Sequence, residues 1–277
     1  MYNKNLVLTY DGYIYLEMAR NLVLGKGITL GEKPHLFHSP LFPALIALGH
    51  KLTGLELTTT SNLLCMVFLL CNIMLIMYFC RKYLRSKSMA VWAVIIYLGS
   101  ERVQRYGISN FSENVLTPLY TLALLFAYRI ILKSKYTFLN YAGITIALSA
   151  AYYVKPEALI VYFCIMGFLF LHSAIRRNDL IKTLGRIFIS LAMFSAIISP
   201  YVYYLYNHTH KLMLSGKTNA ILYWTQWKQE GLFAPHEFQS RFIDGHTIED
   251  GFIRASLCDF PGYHVDVPFL LKNLIVP

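Results

Sequence analysis

With 277 residues, of which 56% are apolar and only 14% charged, the chain has too few charges to clothe a soluble surface, where about a quarter of residues are charged. The 25 Lys and Arg against 15 Asp and Glu leave a net charge of +10, and the mean hydropathy is +0.45. Disorder, collagen-like repeats and a disulfide-stapled secreted domain are excluded; the basic residues lie beside long apolar runs, which argues against nucleic acid as a partner.

In chain order, the first forty residues lack the basic-then-apolar start of a signal peptide. Residues 10–24 predict an amphipathic helix, with Tyr15, Met18, Ala19, Leu22 and Val23 at i, i+3, i+4, i+7 and i+8. Thr9 or Asp11 is placed to cap it, and Gly25 and Gly27 to stop it. Leu41 to Leu48 is apolar but too short to span a bilayer. Pro40 and Pro43 in front and His50-Lys51 behind make it a helix lying in the membrane interface. Residues 1–56 therefore read as an external first loop whose helices sit over a membrane bundle.

A spanning helix needs roughly 20 largely apolar residues. Residues 57–80, 136–154, 158–175 and 187–207 meet that need without a charge. Residues 88–100 are shorter, so that helix is expected to continue into 101–107. Residues 114–132 contain Arg129 near one end, where its stem can snorkel. The count is six spans over 57–207. The connections 81–87, 133–135 and 176–186 hold ten basic residues and one acid, Asp179, and they alternate with the others. The positive-inside rule places them on the cytoplasmic face. The opposite face receives residues 1–40, 101–113, the Lys155-Pro156-Glu157 turn and an external C-terminal segment, 208–277, with six basic and seven acidic residues. The expected fold is all-α: a polytopic transmembrane helix bundle with external interfacial helices. Cys65, Cys71, Cys80 and Cys164 fall in apolar spans and Cys258 outside, which builds neither a disulfide framework nor a zinc spacing.

Nucleotide-loop, dinucleotide and metalloprotease motifs are absent from the sequence. No Asp, Glu or Lys stands in the middle of a span, where coupled transporters keep them. Polar residues cluster at the outer ends of spans and in the first loop. Several motifs there come in a definite order. Tyr10-Asp11-Gly12-Tyr13-Ile14-Tyr15 is followed by Ala19-Arg20-Asn21 and Gly25. Then come His38-Ser39-Pro40-Leu41-Phe42-Pro43, Ser112-Glu113-Asn114 and Lys155-Pro156-Glu157.

This succession resembles the GT-C glycosyltransferases, and more narrowly the dolichyl-phosphate-mannose protein mannosyltransferase and aminoarabinose transferase group (glycosyltransferase families 39 and 83). The first motif is similar to the family's first external loop, although Gly12 stands where a second acid is often found. The resemblance covers most of residues 9–215. Family members have a span before this loop and more beyond residue 277, so it implies that the chain is a fragment.

What the resemblance implies is transfer of a sugar from a polyprenyl-phosphate-linked donor to a lipid, glycan or protein acceptor, with inversion at the anomeric carbon. It implies an integral membrane protein of the plasma or inner membrane, or of the endoplasmic reticulum in a eukaryote, active on the external or luminal face. An acceptor hydroxyl is a weak nucleophile until a carboxylate takes its proton, and a departing phosphate needs fixed cations. Asp11 is the candidate base; as a plain helix N-cap it would contribute about 1 kcal/mol instead. Glu113 would bind sugar or acceptor, or else complement a helix macrodipole. Lys155, with Arg102 or Arg105, would hold the phosphate, or these side chains would anchor the interface. His35 and His38 can donate to phosphate or sugar, and Glu157 can bind substrate, unless it pairs with Lys155. Tyr13 and Tyr15 are expected to pack at the interface. No certain cofactor or metal ligand set follows, and a divalent metal requirement stays open. The competing readings are a polytopic transporter or lipid flippase, which would call for an inverted repeat, and a structural membrane subunit.

Overall fold

The computed structural model describes residues 10–31, 33–101, 103, 111–132, 137–176 and 180–217. Among them are eight α-helices and one two-stranded ribbon. The helices are α1 Tyr10–Val23, α2 Leu41–Thr53, α3 Leu57–Tyr83, α4 Lys87–Gly99, α5 Glu113–Ile131, α6 Thr137–Val154, α7 Ala158–Ile175 and α8 Leu180–Thr209. Strands β1 (Thr29–Leu30) and β2 (Lys33–Pro34) pair antiparallel between α1 and α2. The chain is an all-α membrane bundle.

The bundle is apolar on the outside and polar within. Val67, Leu70 and Met74 of α3, Ile95 and Ile96 of α4, Phe163 and Phe168 of α7 and Phe188 of α8 are exposed, whereas Asn72, Asn114, Asn140, Thr145, Ser149 and Ser190 are buried. In water such a surface would aggregate; in hydrocarbon it is the matched solvent, and interior polar groups bind one another. Thr121 donates to Asn72 Oδ1 at 2.7 Å, joining α5 to α3. The Ser190 hydroxyl of α8 lies 2.5 Å from Thr145 of α6 and 2.9 Å from Tyr162 of α7. Helix α6 is the hub, packing on α5, α7, α8 and α2. At Gly143 it approaches α5 so closely that a Cβ would lie 2.6 Å from the Phe126 ring.

Four helices, α3, α5, α7 and α8, are long and apolar enough to cross a membrane among the described residues. Helix α6 has 18 uncharged residues and the deepest burial; Asn140, Thr145 and Ser149, which face its neighbours, lower its hydropathy. Helix α4 has 13 residues and ends at Gly99; Glu101 and Val103 are helical beyond the break, and the rest of the expected continuation over 101–107 lies outside the described residues. Ser100 turns to extended backbone (φ −66°, ψ 126°) behind Gly99, a residue that weakens a helix end. At the other end of the bundle, helices outrun the apolar windows. Arg81 and Lys82 belong to α3 and Lys182 and Arg186 to α8, rather than to loops.

Both helices expected in the first loop form, α1 with the face its periodicity predicts. In α1, Tyr15 and Ala19 are buried in one cluster with Phe42, Ile46 and Ala47 of α2, Cys65 of α3 and Val115 of α5. Helices α1 and α2 thus pack over the end of the bundle made by the N-termini of α3 and α5. Gly25 and Gly27 follow α1 at φ +75° and +82°, a region that L side chains seldom occupy.

Candidate functional site

Asp11 is the second residue of α1, inside its first turn rather than ahead of it, where the positive end of the helix dipole favours a carboxylate. Its side chain is 49% exposed and its Oδ1 lies 3.5 Å from Nε2 of His38. His38 is buried in the loop before α2, stacked on the buried His35 ring at 5.1 Å and 13°. His35 Nε2 and His38 Nδ1 are 2.8 Å apart. A carboxylate can only accept, so His38 carries its proton on Nε2. Its bare Nδ1 must then accept from His35 Nε2–H. The chain of donation runs from His35 to His38 to Asp11.

Both rings are neutral at pH 7. Burial pushes the His35 pKa down to about 3. Burial also lowers that of His38, against the pull of Asp11. The His38 N–H holds the Asp11 carboxyl below its usual range despite partial burial, and the charges of Lys155 and Lys217 add to the effect. Tyr15 and Phe37 wall the His38 ring edge-on at 5.2 and 4.8 Å.

A second chain of polar contacts runs beside the first. Burial keeps the Tyr15 phenol well above its ordinary pKa, so it stays protonated. Its oxygen is 3.1 Å from Ser112 Oγ, which is 3.5 Å from Glu113 Oε2. Lys155 Nζ donates to Glu113 Oε1 at 2.5 Å. Glu113 opens α5 and Lys155 stands in the tight turn between α6 and α7, where Ala158 N–H bonds the Lys155 carbonyl at 3.1 Å. The antiparallel packing of α5 and α6 brings the two ends together. Tyr15 is therefore buried inside this site, whereas Tyr13 is 57% exposed.

Glu157 does not pair with Lys155. Its partner is Lys217, whose Nζ donates to Oε1 at 3.2 Å and stands 5.9 Å above the Phe37 ring. Burial would raise the Glu157 pKa, but its own backbone N–H and Lys217 hold it low on balance. Lys217 arrives through Gly216, where a Cβ would lie 2.1 Å from the Leu36 carbonyl oxygen. Tyr152 OH, donating to the Leu214 carbonyl, fastens the same stretch. Tyr204 of α8 anchors the first loop, donating to Ile28 O at 3.0 Å.

The structure thus gathers Asp11, His38, Glu113, Lys155 and Glu157, together with His35. Arg102 and Arg105 lie outside the described residues. Lys217 had no signal in the sequence, since it belongs to a stretch without periodicity. The spacing of His35 and His38 around Leu36-Phe37 was the one visible hint of their pairing. Among the described residues no group of three or more His, Cys, Asp and Glu is arranged to hold a metal ion.

A profile of the dolichyl-phosphate-mannose-protein mannosyltransferase family matches residues 37–204. The chain belongs to this family. It is accordingly a membrane glycosyltransferase of the GT-C type. The matched stretch contains His38, Glu113, Lys155 and Glu157, while Asp11 precedes it. Comparison with curated proteins and with solved structures gave no match.

Proposed function

We propose that the protein moves a sugar from a polyprenyl-phosphate-linked donor to the hydroxyl of a lipid, glycan or protein acceptor on the external or luminal face, with Asp11 as general base. The observation that carries this reading is the charge pairing. Glu113 and Glu157 each face a lysine ammonium within 3.2 Å, whereas the Asp11 carboxylate has a neutral imidazole as its near partner and is half-exposed. A carboxylate locked to an ammonium is a poor proton acceptor; one steadied by an imidazole N–H keeps its second oxygen for an incoming proton. Each lysine Nζ has three donors, so contact with a glutamate leaves further N–H groups for phosphate oxygens.

In this mechanism the acceptor oxygen forms its bond to the anomeric carbon as its proton passes to Asp11. The carbon–oxygen bond to phosphate breaks on the opposite side of the sugar, which inverts the centre. The electron pair leaves with the polyprenyl phosphate, and Lys155 and Lys217 receive its charge. The donor tail would lie along the apolar exterior of the bundle. Six spans, counting α4 and α6 with the four longer helices, complete the reading.

The test is transfer in membranes carrying the full-length protein and supplied with labelled donor. Asp11→Asn is expected to lower turnover by about 10²–10⁴-fold with little change in the donor KM, and Asp11→Glu to retain part of it. Wild-type turnover in Asp11→Asn would remove Asp11 from the chemistry.

A further inference from the structure

Helix α5 starts beside Lys155 and ends at Ile131, 19 residues on, or about 28 Å at 1.5 Å per residue. At that far end the described helices enclose a second polar region, a cavity of about 280 Å³. Its wall includes Thr137 and Tyr141 of α6, His172 of α7, and Lys182, Thr183 and Arg186 of α8. Three of these can carry positive charge, and three offer hydroxyls. No Asp or Glu is among its described lining residues.

The positive-inside tendency explains basic residues near span ends, but not this convergence. Arg81 and Lys82, by contrast, are exposed and line, with Met74, Met77 and Tyr78, a hollow on the single face of one helix, α3. Here Arg186 and His172 are part-buried and, with Lys182, come from two helices to one hollow. The hydrogen bond of Ser173 to Thr183, at 2.9 Å, ties those helices together on its wall. The same ends of α7 and α8 carry strongly exposed apolar side chains, Ile175 at 81% and Ile181 at 83%, which suit acyl or isoprenoid chains.

We infer that this cavity binds a phosphate group at the end of the bundle opposite the Asp11 site. The ligand class is a phosphate monoester headgroup or free phosphate, taken by Lys182 and Arg186 with hydroxyl donors from Thr183 and Tyr141. The guanidinium suits two phosphate oxygens at once, and the size suits a headgroup, being close to the lower bound of roughly 300 Å³ for small-ligand pockets. The assignment is independent of the sugar-transfer mechanism.

The test uses the purified full chain in detergent, with dihexanoyl phosphatidic acid, dihexanoyl phosphatidylcholine and inorganic phosphate as separate probes. Wild type should bind phosphatidic acid at least tenfold more tightly than phosphatidylcholine. Lys182→Gln/Arg186→Gln should lose roughly tenfold or more in affinity, Lys182→Arg/Arg186→Lys should retain most of it, and Arg81→Gln/Lys82→Gln should change it less than twofold. Tight binding of phosphatidic acid without inorganic phosphate identifies a lipid headgroup, and equal binding of both identifies free phosphate. A measurement on wild type avoids any folding defect: phosphatidic acid should slow acylation of Lys182 severalfold and leave Lys87 unchanged. Equal affinity in wild type and Lys182→Gln/Arg186→Gln, equal loss in the α3 control, or unprotected Lys182 would each overturn the assignment.

Discussion

A carboxylate steadied by an imidazole N–H behaves differently in acid from one held by an ammonium, and the Asp11–His38–His35 chain is built on the former. His35 has a folded pKa of about 3 against an unfolded value near 6.5. As pH falls through that window the unfolded chain takes up a proton that the native ring refuses. The contribution to stability is therefore full above about pH 6.5 and is lost progressively towards pH 3. Asp11, with its lowered pKa, acts in the same direction at the lower end, from about pH 4 downwards. The melting temperature of the purified protein should fall between pH 7 and 4. His35→Gln, which keeps a donor but cannot titrate, should flatten that fall by up to roughly 1.4 kcal/mol per pH unit. An identical slope in wild type and variant would show that His35 is not the buried neutral group described. For turnover, removing the His38 donor should raise the Asp11 pKa, so the acid limb of the pH–rate profile should move upward in His38→Ala. A limb that stays in place would detach His38 from the carboxylate. At this scale the motif residues were legible, but their pairing was not. Glu157 stands two positions from Lys155, and yet it meets Lys217, because the turn aims the two side chains at different neighbours.

The elements were more legible than the contacts. Periodicity located α1, a short apolar run between prolines and His50-Lys51 located α2, and apolar windows located the cores of α3, α5, α7 and α8. Windows fail where a helix outruns the hydrocarbon, as α8 does at Lys182 and Arg186, and where Ser100 ends α4. They also carry no information on close approach, which decides how the elements meet. Gly143 is such a point, facing the Phe126 ring. Gly143→Val should force α5 and α6 apart and cost about 1–3 kcal/mol, the usual range for overpacking, read as a lower melting temperature. An unchanged melting temperature would mean that the ring yields without cost. Gly216 sets the reach of Lys217, since a Cβ there would strike the Leu36 carbonyl, which is backbone and cannot swing aside. Gly216→Ala and Lys217→Gln should therefore reduce sugar transfer to a similar extent, about tenfold for the loss of one charge-assisted contact. If Gly216→Ala transfers at the wild-type rate while Lys217→Gln does not, the segment has another way to present its lysine.

At the scale of the molecule, charge is divided between the two ends of one bundle. One end holds Asp11, Glu113 and Glu157 against Lys155 and Lys217. The other holds Arg81, Lys82, Arg85, Lys87, Arg129, Arg176, Lys182 and Arg186. A membrane potential and an anionic inner leaflet both favour keeping the second set inside. Lys33 and Lys87 are exposed at opposite ends, and α3 alone separates the levels by 27 residues, or about 40 Å of helix, more than the roughly 30 Å hydrocarbon core. Cysteines at the two positions should therefore react with an impermeant maleimide from opposite sides of sealed vesicles, that at Lys87 from the cytoplasmic side. The native thiols at Cys65, Cys71, Cys80 and Cys164 sit in helices of the bundle, where an apolar surrounding suppresses the reactive thiolate, and Cys258 can be replaced by Ser. Labelling of Lys33→Cys and Lys87→Cys from the same side would mean that α3 does not cross. The sugar-transfer site and the phosphate cavity would then face one compartment instead of opposite sides of the bilayer.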